Sequence, residues 1–220
     1  MLVRRTLEDI CDPRHLALLV YDMQVGVLSQ IANPDEVTAN VATVVRAARA
    51  AGLPIFFTRH TSLPVELLGA GGLRTAMIWQ RTDQIDRLVS AFPPDAPQTQ
   101  VVPELTPRPD EAVFDKLAMS AFVGTALDLA LRDAGIEGLA IVGVALEVGI
   151  EPTVRHGLDL GYLPVVVTDA CGHGDTPAAE RALSQLSWFG GSLFTDTATF
   201  STALRRGTGG DDSKKSFQES

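Results

Sequence analysis

The stretch LAIVGVALEVGIEPTVRHGLDLGYLPVVVTDA, residues 139–170, contains a strand, a helix and a second strand in succession. Its two ends are short apolar runs rich in valine, which is typical of buried strands. The middle has a helical pattern. That helix must begin near Gly149, because Pro152 is tolerated only in a first turn. Two strands joined by a helix predict a parallel pair with a right-handed crossover.

The same alternation of strands and helices continues on both sides of this stretch. It predicts a single α/β domain of three layers, α/β/α, with a mostly parallel, Rossmann-like sheet of about six strands. We expect this domain to span residues 1–206 and the polar residues 207–220 to form a disordered or partner-bound tail. The strands are expected at residues 15–22, 53–59, 111–116, 139–145, 162–170 and within 192–200, and the helices at 33–52, 120–138, 150–161 and 176–190.

The composition restricts the classes of partner. The 220 residues carry a formal net charge of −9, which argues against nonspecific binding to nucleic acid or to an anionic membrane. Cys11 and Cys171 do not make a disulfide framework, and neither a signal peptide nor an apolar run long enough to span a membrane is recognisable. We therefore expect a cytoplasmic protein that acts on a small molecule.

Polar residues follow several of the predicted strands. In parallel sheets, ligands bind outside the carboxyl ends of the strands. An acid and a lysine brought together there would make a proton-handling unit, although a buried ion pair with a purely structural role is an equal alternative. The residues at these ends are Asp22 to Gln24, Arg59, His60, Lys116, and Ala145 to Gly149.

The segments LLVYDMQVGVL and FDKLAMSAFVGTALDLALRDAGIEGLAIVGVALEVGIEPTVRHGLDLGYLPVVVTDAC resemble the isochorismatase-like hydrolase superfamily, and the resemblance covers roughly residues 15–200. It implies a site of an Asp, a Lys and a nucleophilic Cys, and in this sequence these positions hold Asp22, Lys116 and Gly149. It also implies a cis peptide between Val144 and Ala145, and a homo-oligomer, either a dimer or a tetramer.

Glycine in place of the thiol leaves three hypotheses open. The first is a hydrolase that activates water, with Asp22 and Lys116 transferring protons to or from a small amide, imide or vinyl-ether substrate. The second is a protein that binds a small ligand without catalysis. The third is an amidase with another nucleophile, for which Cys171 is the candidate. Isochorismatases also have this glycine, but the Arg and the Tyr-Ala-His that they carry nearby are Ala118 and Ala145-Leu146-Glu147 here, which makes isochorismate a doubtful substrate.

The corner itself offers further catalytic candidates. Backbone N–H groups near Gly149 and Ala145 are expected to form a cradle for an anion, and the missing side chain is expected to leave room for a water molecule. Glu147 is expected in one of two roles. If it points into the pocket, it orients that water as a general base or binds a cationic or amide group; if it points away, it caps the start of the helix.

The expected substrate contacts lie mostly outside the corner. A single His without a neighbouring acid ligand does not predict a metal site, and no other cofactor is indicated. The long segment 61–110 is expected to be a lid, a binding loop or an interface. The residues expected to contact substrate are Gln24, Arg59, His60, Trp79 and Ala145.

Overall fold

The structure is a computed structural model that describes residues 3–209, and its centre is a sheet of six parallel strands. The strand order is β3-β2-β1-β4-β5-β6, so the chain adds strands outward in one direction from β1 and then in the other from β4. The predicted parallel sheet is therefore confirmed. The strands are β1 (Leu16–Tyr21), β2 (Ile55–His60), β3 (Ala112–Lys116), β4 (Gly138–Val144), β5 (Leu163–Gly172) and β6 (Leu193–Thr195).

Helices cover both faces of this sheet. Along β1, the even-numbered residues pack in one apolar cluster with α3 and α8, and the odd-numbered residues pack in a second cluster with α5, α6 and α7. This alternation gives the three layers expected from the sequence. The helices are α1 (Leu7–Ile10), α2 (Val25–Leu28), α3 (Pro34–Ala51), α4 (Ala70–Trp79), α5 (Leu127–Asp133), α6 (Glu151–Asp159), α7 (Thr176–Phe189) and α8 (Thr197–Gly209).

The helix expected at 120–138 begins only at Leu127. The residues before it form turns, because their polar groups bond to α6 instead of to a helical backbone. Ser120 Oγ lies 3.0 Å from His156 Nδ1, and the Ala121 N–H donates to Thr153 Oγ1 at 3.0 Å. The expectation of a helix from residue 120 was therefore wrong, and the segment is a loop tied to α6.

The described residues end in a helix, α8, which begins within the segment 192–200 where the sequence predicted a short strand. Asp196 Oδ1 accepts from the Thr199 N–H at 2.7 Å and so satisfies a free donor at the helix start. Phe200, Ala203 and Leu204 are buried in the cluster that contains α3. The helix continues to Gly209, past the expected domain boundary at 206, and the rest of the proposed tail lies outside the described residues.

The long connection from β2 to β3 contains α4 and four short 3₁₀ turns. Its start is anchored where the Thr61 N–H donates to the Lys116 carbonyl at 2.9 Å. Within residues 3–209, none of the helices combines the length and the apolar character needed to cross a membrane.

Candidate active site

Asp22 and Lys116 form a buried ion pair at the carboxyl ends of β1 and β3. Lys116 Nζ donates to Asp22 Oδ2 at 2.7 Å, and the Thr58 hydroxyl on β2 donates to Asp22 Oδ1 at 2.7 Å. The exposed fraction is 4% for Asp22 and 2% for Lys116. Because β2 lies between β1 and β3, the lysine reaches across β2 to the carboxylate. The pairing expected from the sequence is therefore present.

The ammonium group of Lys116 has two contacts in addition to its bond with Asp22. Besides Asp22, Nζ donates to the Ala118 carbonyl at 3.2 Å and lies 4.3 Å from the centre of the Tyr21 ring. Burial lowers the pKa of Lys116, and the charge of Asp22 opposes that shift. Asp22 itself has φ of 46°, a left-handed conformation that is uncommon for residues other than glycine and occurs at functional sites.

The corner after β4 contains the implied cis peptide, between Val144 and Ala145. A π-helical turn follows, Leu146–Ile150, in which the N–H groups of Val148, Gly149 and Ile150 all lie 3.0–3.3 Å from the Ala145 carbonyl oxygen. The N–H of Gly149 therefore donates its hydrogen bond within the turn, to the Ala145 carbonyl. The expected anion cradle does not include that N–H in this structure.

The space beside Gly149 is filled by Tyr21. A Cβ atom on residue 149 would stand 2.6 Å from Tyr21 Cε1 and still closer to Cζ and Oη, whereas real Cβ contacts are essentially never under 3.0 Å. The Tyr21 hydroxyl donates to the Met119 carbonyl. The expectation of room for a water molecule at this place was wrong, because the phenol occupies it.

Tyr21 is not among the residues that the sequence predicts for the site. It closes the apolar run of β1 directly before Asp22, a position where the pattern predicts only a buried strand. The sequence contains one signal for its role: a tyrosine hydroxyl at the end of β1 and a glycine without a side chain, Gly149, at the corner after β4.

Glu147 points to the start of α7. Its Oε1 accepts from the Gly174 N–H at 2.8 Å and from the Asp175 N–H at 2.9 Å, and Asp175 in turn caps α7. Its Oε2 is buried without a hydrogen-bond partner. Of the two roles expected for Glu147, this geometry corresponds to capping, but at α7 and not at the helix of its own corner.

Two residues expected to contact substrate, Gln24 and Arg59, bond to other groups of the protein. Gln24 is fully buried; its Oε1 accepts from the His60 N–H, and its Nε2 donates to the carbonyls of His60 and Thr99, all within 2.9 Å. Arg59 forms two bonds to Asp115, of 2.7 and 2.9 Å. In this structure both side chains are held by the protein's own groups, Arg59 also by Gln100 Oε1 at 2.8 Å, and contact of either with a substrate stays a prediction.

His60 lies next to the ion pair, and Trp79 does not. His60 is paired in register with Lys116, and its pKa is lowered, first by burial and then by the positive charge of Lys116. Trp79 is 56% exposed at the end of α4, whereas the ion pair is buried. His60 therefore lies close to the charges of the ion pair and Trp79 lies at the surface, and contact of either side chain with a substrate stays a prediction.

Neither a metal cluster nor a reactive thiol stands out among residues 3–209. The described side chains include no group of three or more His, Cys, Asp or Glu residues able to hold a metal ion. Cys171 is buried in β5 with its thiol 3.7 Å from the Ile141 carbonyl, and burial raises the pKa of that thiol. A raised thiol pKa is the opposite of what a nucleophile needs.

Comparisons with known proteins agree with this geometry. A family model, the isochorismatase domain, matches residues 16–198. Ureidoacrylate amidohydrolase RutB of Pseudomonas syringae pv. syringae is 32% identical over 190 residues, which cover 77% of this chain and 76% of that protein. An isochorismatase family protein from Burkholderia thailandensis superposes with a TM-score of 0.70 at 28% identity, covering 87% of this chain and 96% of that one. A cysteine hydrolase from Pseudomonas syringae pv. phaseolicola 1448A has the same fold, with a TM-score of 0.71 at 22% identity over 89% and 95% of the two chains.

Proposed function

The chain belongs to the isochorismatase family of hydrolases, and from that membership we propose that it cleaves a small amide of the ureido type by activating water. The observation that carries the proposal is the buried Asp22–Lys116 pair beside a corner that has glycine in place of a thiol. The ureido chemistry is taken from the curated relative that is 32% identical, an amidohydrolase of ureidoacrylate.

Asp22 is the proton carrier of the proposed reaction. Both of its oxygens accept a hydrogen bond, from Lys116 and from Thr58, and these bonds fix the position of the carboxylate. Asp22 takes a proton from water as the water oxygen bonds to the carbonyl carbon. When the C–N bond breaks, Asp22 passes this proton to the leaving nitrogen, so that the products are an acid and an amine or ammonia. No atom of the protein becomes bonded to the substrate.

A vinyl-ether substrate fits the site less well. An isochorismate-like dianion calls for cationic partners, and Arg59 is already paired with Asp115 while Ala118 supplies no charge. Glu147 would bring a further negative charge to the corner. A neutral or singly charged amide avoids this repulsion.

A second candidate is a ligand-binding protein without turnover. The observation in its favour is the degree of closure: Asp22, Lys116, Tyr21 and Gly149 are all buried, and the phenol fills the place where relatives of the thiol type carry their nucleophile. Binding without product formation would distinguish this candidate from the hydrolase.

Turnover of ureidoacrylate and of simpler N-carbamoyl compounds by the purified protein is the direct test. Asp22→Asn and Lys116→Met are each expected to lower kcat by about 10²-fold or more, because each removes part of the proton-transfer unit. Arg49→Met is the matched control, since it breaks another ion pair, to Glu111 at 2.7 Å, outside the site. Turnover that survives both site substitutions would contradict the proposal.

We also propose that the protein is a cytoplasmic homo-oligomer. Two reduced, buried cysteines fit a reducing compartment, and large apolar side chains at the end of α7, Trp188 and Phe189, are 87% and 59% exposed. Light scattering on a sizing column tests the assembly state, and a mass corresponding to one chain would contradict an oligomer.

A further inference from the structure

Tyr21 and Gly149 pack directly against each other, and the Tyr21 phenol lies where a side chain on residue 149 would stand. Gly149 has a backbone φ outside the left-handed region, so its conformation would accept a side chain, and the obstacle to one is the Tyr21 phenol. Tyr21 is 2% exposed and continues the face of β1 that packs against α6. The residue that lacks a side chain and the residue that fills its space therefore form one unit, in which the Tyr21 hydroxyl stands where the side chain of a residue at position 149 would begin.

We propose that the Tyr21 hydroxyl is a catalytic hydrogen-bond donor to the reacting carbonyl oxygen, an inference that rests on the hydrolase function proposed above. The geometry joins Tyr21 to the rest of the site in two ways. Its backbone leads directly into Asp22, and its ring lies under the ammonium of Lys116, 4.3 Å from Nζ to the ring centre. The carboxylate, the ammonium and the phenol thus form one buried cluster.

The phenol keeps its proton, and this suits a donor better than a nucleophile. Burial raises the pKa of Tyr21 far above its ordinary value, and the negative charge of Asp22 adds to the shift. A tyrosine nucleophile would need the phenolate, which this environment disfavours. Its present acceptor is the carbonyl oxygen of Met119, an oxygen of the same kind as the one in an amide substrate.

In the proposed reaction, Asp22 acts on the water molecule and Tyr21 acts on the carbonyl oxygen of the substrate. The water oxygen bonds to the carbonyl carbon while its proton moves to Asp22. The substrate carbonyl oxygen gains negative charge. It accepts a hydrogen bond from the Tyr21 hydroxyl and so replaces the Met119 carbonyl oxygen as the acceptor. When the tetrahedral intermediate collapses, the C–N bond breaks and Asp22 gives its proton to nitrogen. Tyr21 retains its own proton throughout, and its contribution is to stabilise the developing oxyanion.

Tyr21→Phe is the decisive kinetic variant, because it removes only the hydroxyl. The chain has two tyrosines, so Tyr162→Phe is a matched control: its hydroxyl bonds to Asp128 Oδ1 at 2.8 Å, outside the site. We expect Tyr21→Phe to lower kcat by about 10²–10³-fold, the loss typical for one oxyanion donor. The KM should change little, the Tm should fall by at most a few degrees because the Met119 carbonyl loses its donor, and Tyr162→Phe should keep its kcat.

The outcomes separate this inference from the proposed function. If Tyr21→Phe retains the wild-type kcat while Asp22→Asn is inactive, the role of Tyr21 is overturned and the hydrolase proposal stands. If wild-type protein turns over none of the N-carbamoyl compounds, or if Asp22→Asn keeps the wild-type rate, the proposed function fails and the catalytic role of Tyr21 fails with it.

A stability cycle tests the interlocking without relying on turnover. Gly149→Cys alone should lower the Tm, because the new side chain collides with the phenol. In the double variant Tyr21→Val/Gly149→Cys, the cysteine should lower the Tm much less, relative to Tyr21→Val alone. The thiol of this cysteine should also react with iodoacetamide. Gly149→Cys lowering the Tm equally with and without Tyr21 would overturn the assignment of the phenol to the thiol position.

Discussion

Asp22 and Lys116 are 94 positions apart in the chain, and yet their side chains meet at 2.7 Å in a site that is almost closed to solvent. Each residue makes the burial of the other tolerable, since an ion without its partner in this environment bears the full cost of desolvation. The pair is therefore a structural element as well as the proposed proton-transfer unit, and the two roles respond differently to substitution.

The stability role predicts strong coupling between the two residues. Lys116→Met leaves a buried carboxylate without its cation and should lower the free energy of unfolding by about 3–5 kcal/mol. The double variant Asp22→Asn/Lys116→Met should lose clearly less than the sum of the two single losses. Urea denaturation measures all three. The exposed pair of Arg132 and Asp128 is the control, and Arg132→Met should cost far less stability than Lys116→Met, because water screens the exposed pair. Equal costs for Lys116→Met and the control would contradict the prediction.

Glu147 is predicted to support α7 and not the chemistry. Glu147→Ala removes the acceptor of two backbone N–H groups and should cost about 1–3 kcal/mol. Glu147→Gln retains an acceptor oxygen and should keep most of that stability and nearly the wild-type kcat. A large loss of kcat in the glutamine variant, with its stability unchanged, would instead support the general-base role that the sequence suggested.

Cys171 is predicted to be inert. Its thiol is buried and its pKa is raised by that burial, so the native protein should resist iodoacetamide at neutral pH. Cys171→Ala should retain its kcat within about twofold, as expected for a residue that only packs. Cys11, which is also buried and whose pKa is raised to about 12 by burial and then by Glu8, provides the internal comparison in labelling detected by mass spectrometry. Loss of turnover on alkylation of the native protein would revive the hypothesis of an unexpected nucleophile.

His60 is predicted to make the stability depend on pH. Its pKa in the folded protein lies below the ordinary 6.5, because of burial and then of the charge of Lys116. The unfolded chain therefore binds a proton that the folded protein does not, and the free energy of unfolding falls as the pH is lowered through this region. His60→Gln should flatten this part of the profile, measured by urea denaturation between about pH 5 and 7. His173→Gln, at a partly exposed histidine, is the control, and equal flattening in both variants would contradict the assignment.

The sheet and the ion pair could be predicted because each depends on a local pattern. Valine-rich runs alternate with helical ones, and parallel strands all present their carboxyl ends at one edge. This was sufficient to bring Asp22 and Lys116 together. The cis peptide before Ala145 was predicted from family resemblance and is present in the structure.

Side-chain direction was the part that the sequence could not provide. Gln24 and Arg59 stand at the expected edge, yet the first is consumed by backbone groups and the second by Asp115 on the neighbouring strand. The glycine at 149 indicated space, whereas the structure fills that space with a residue from β1. Such pairings depend on strand order and register, which no single segment contains.

The strand order also has a consequence for folding. The site takes Asp22 from the end of β1, Lys116 from the end of β3 and its corner from the end of β4, and β2 must lie between the first two. Bringing Asp22 and Lys116 together closes a loop of 94 positions, which is entropically costly, and contacts between such distant segments form slowly. Enzymatic activity cannot return before β1, β2, β3 and β4 have paired. A refolding time course monitored by turnover would therefore report on the pairing of these four strands, whereas helical signals can recover earlier.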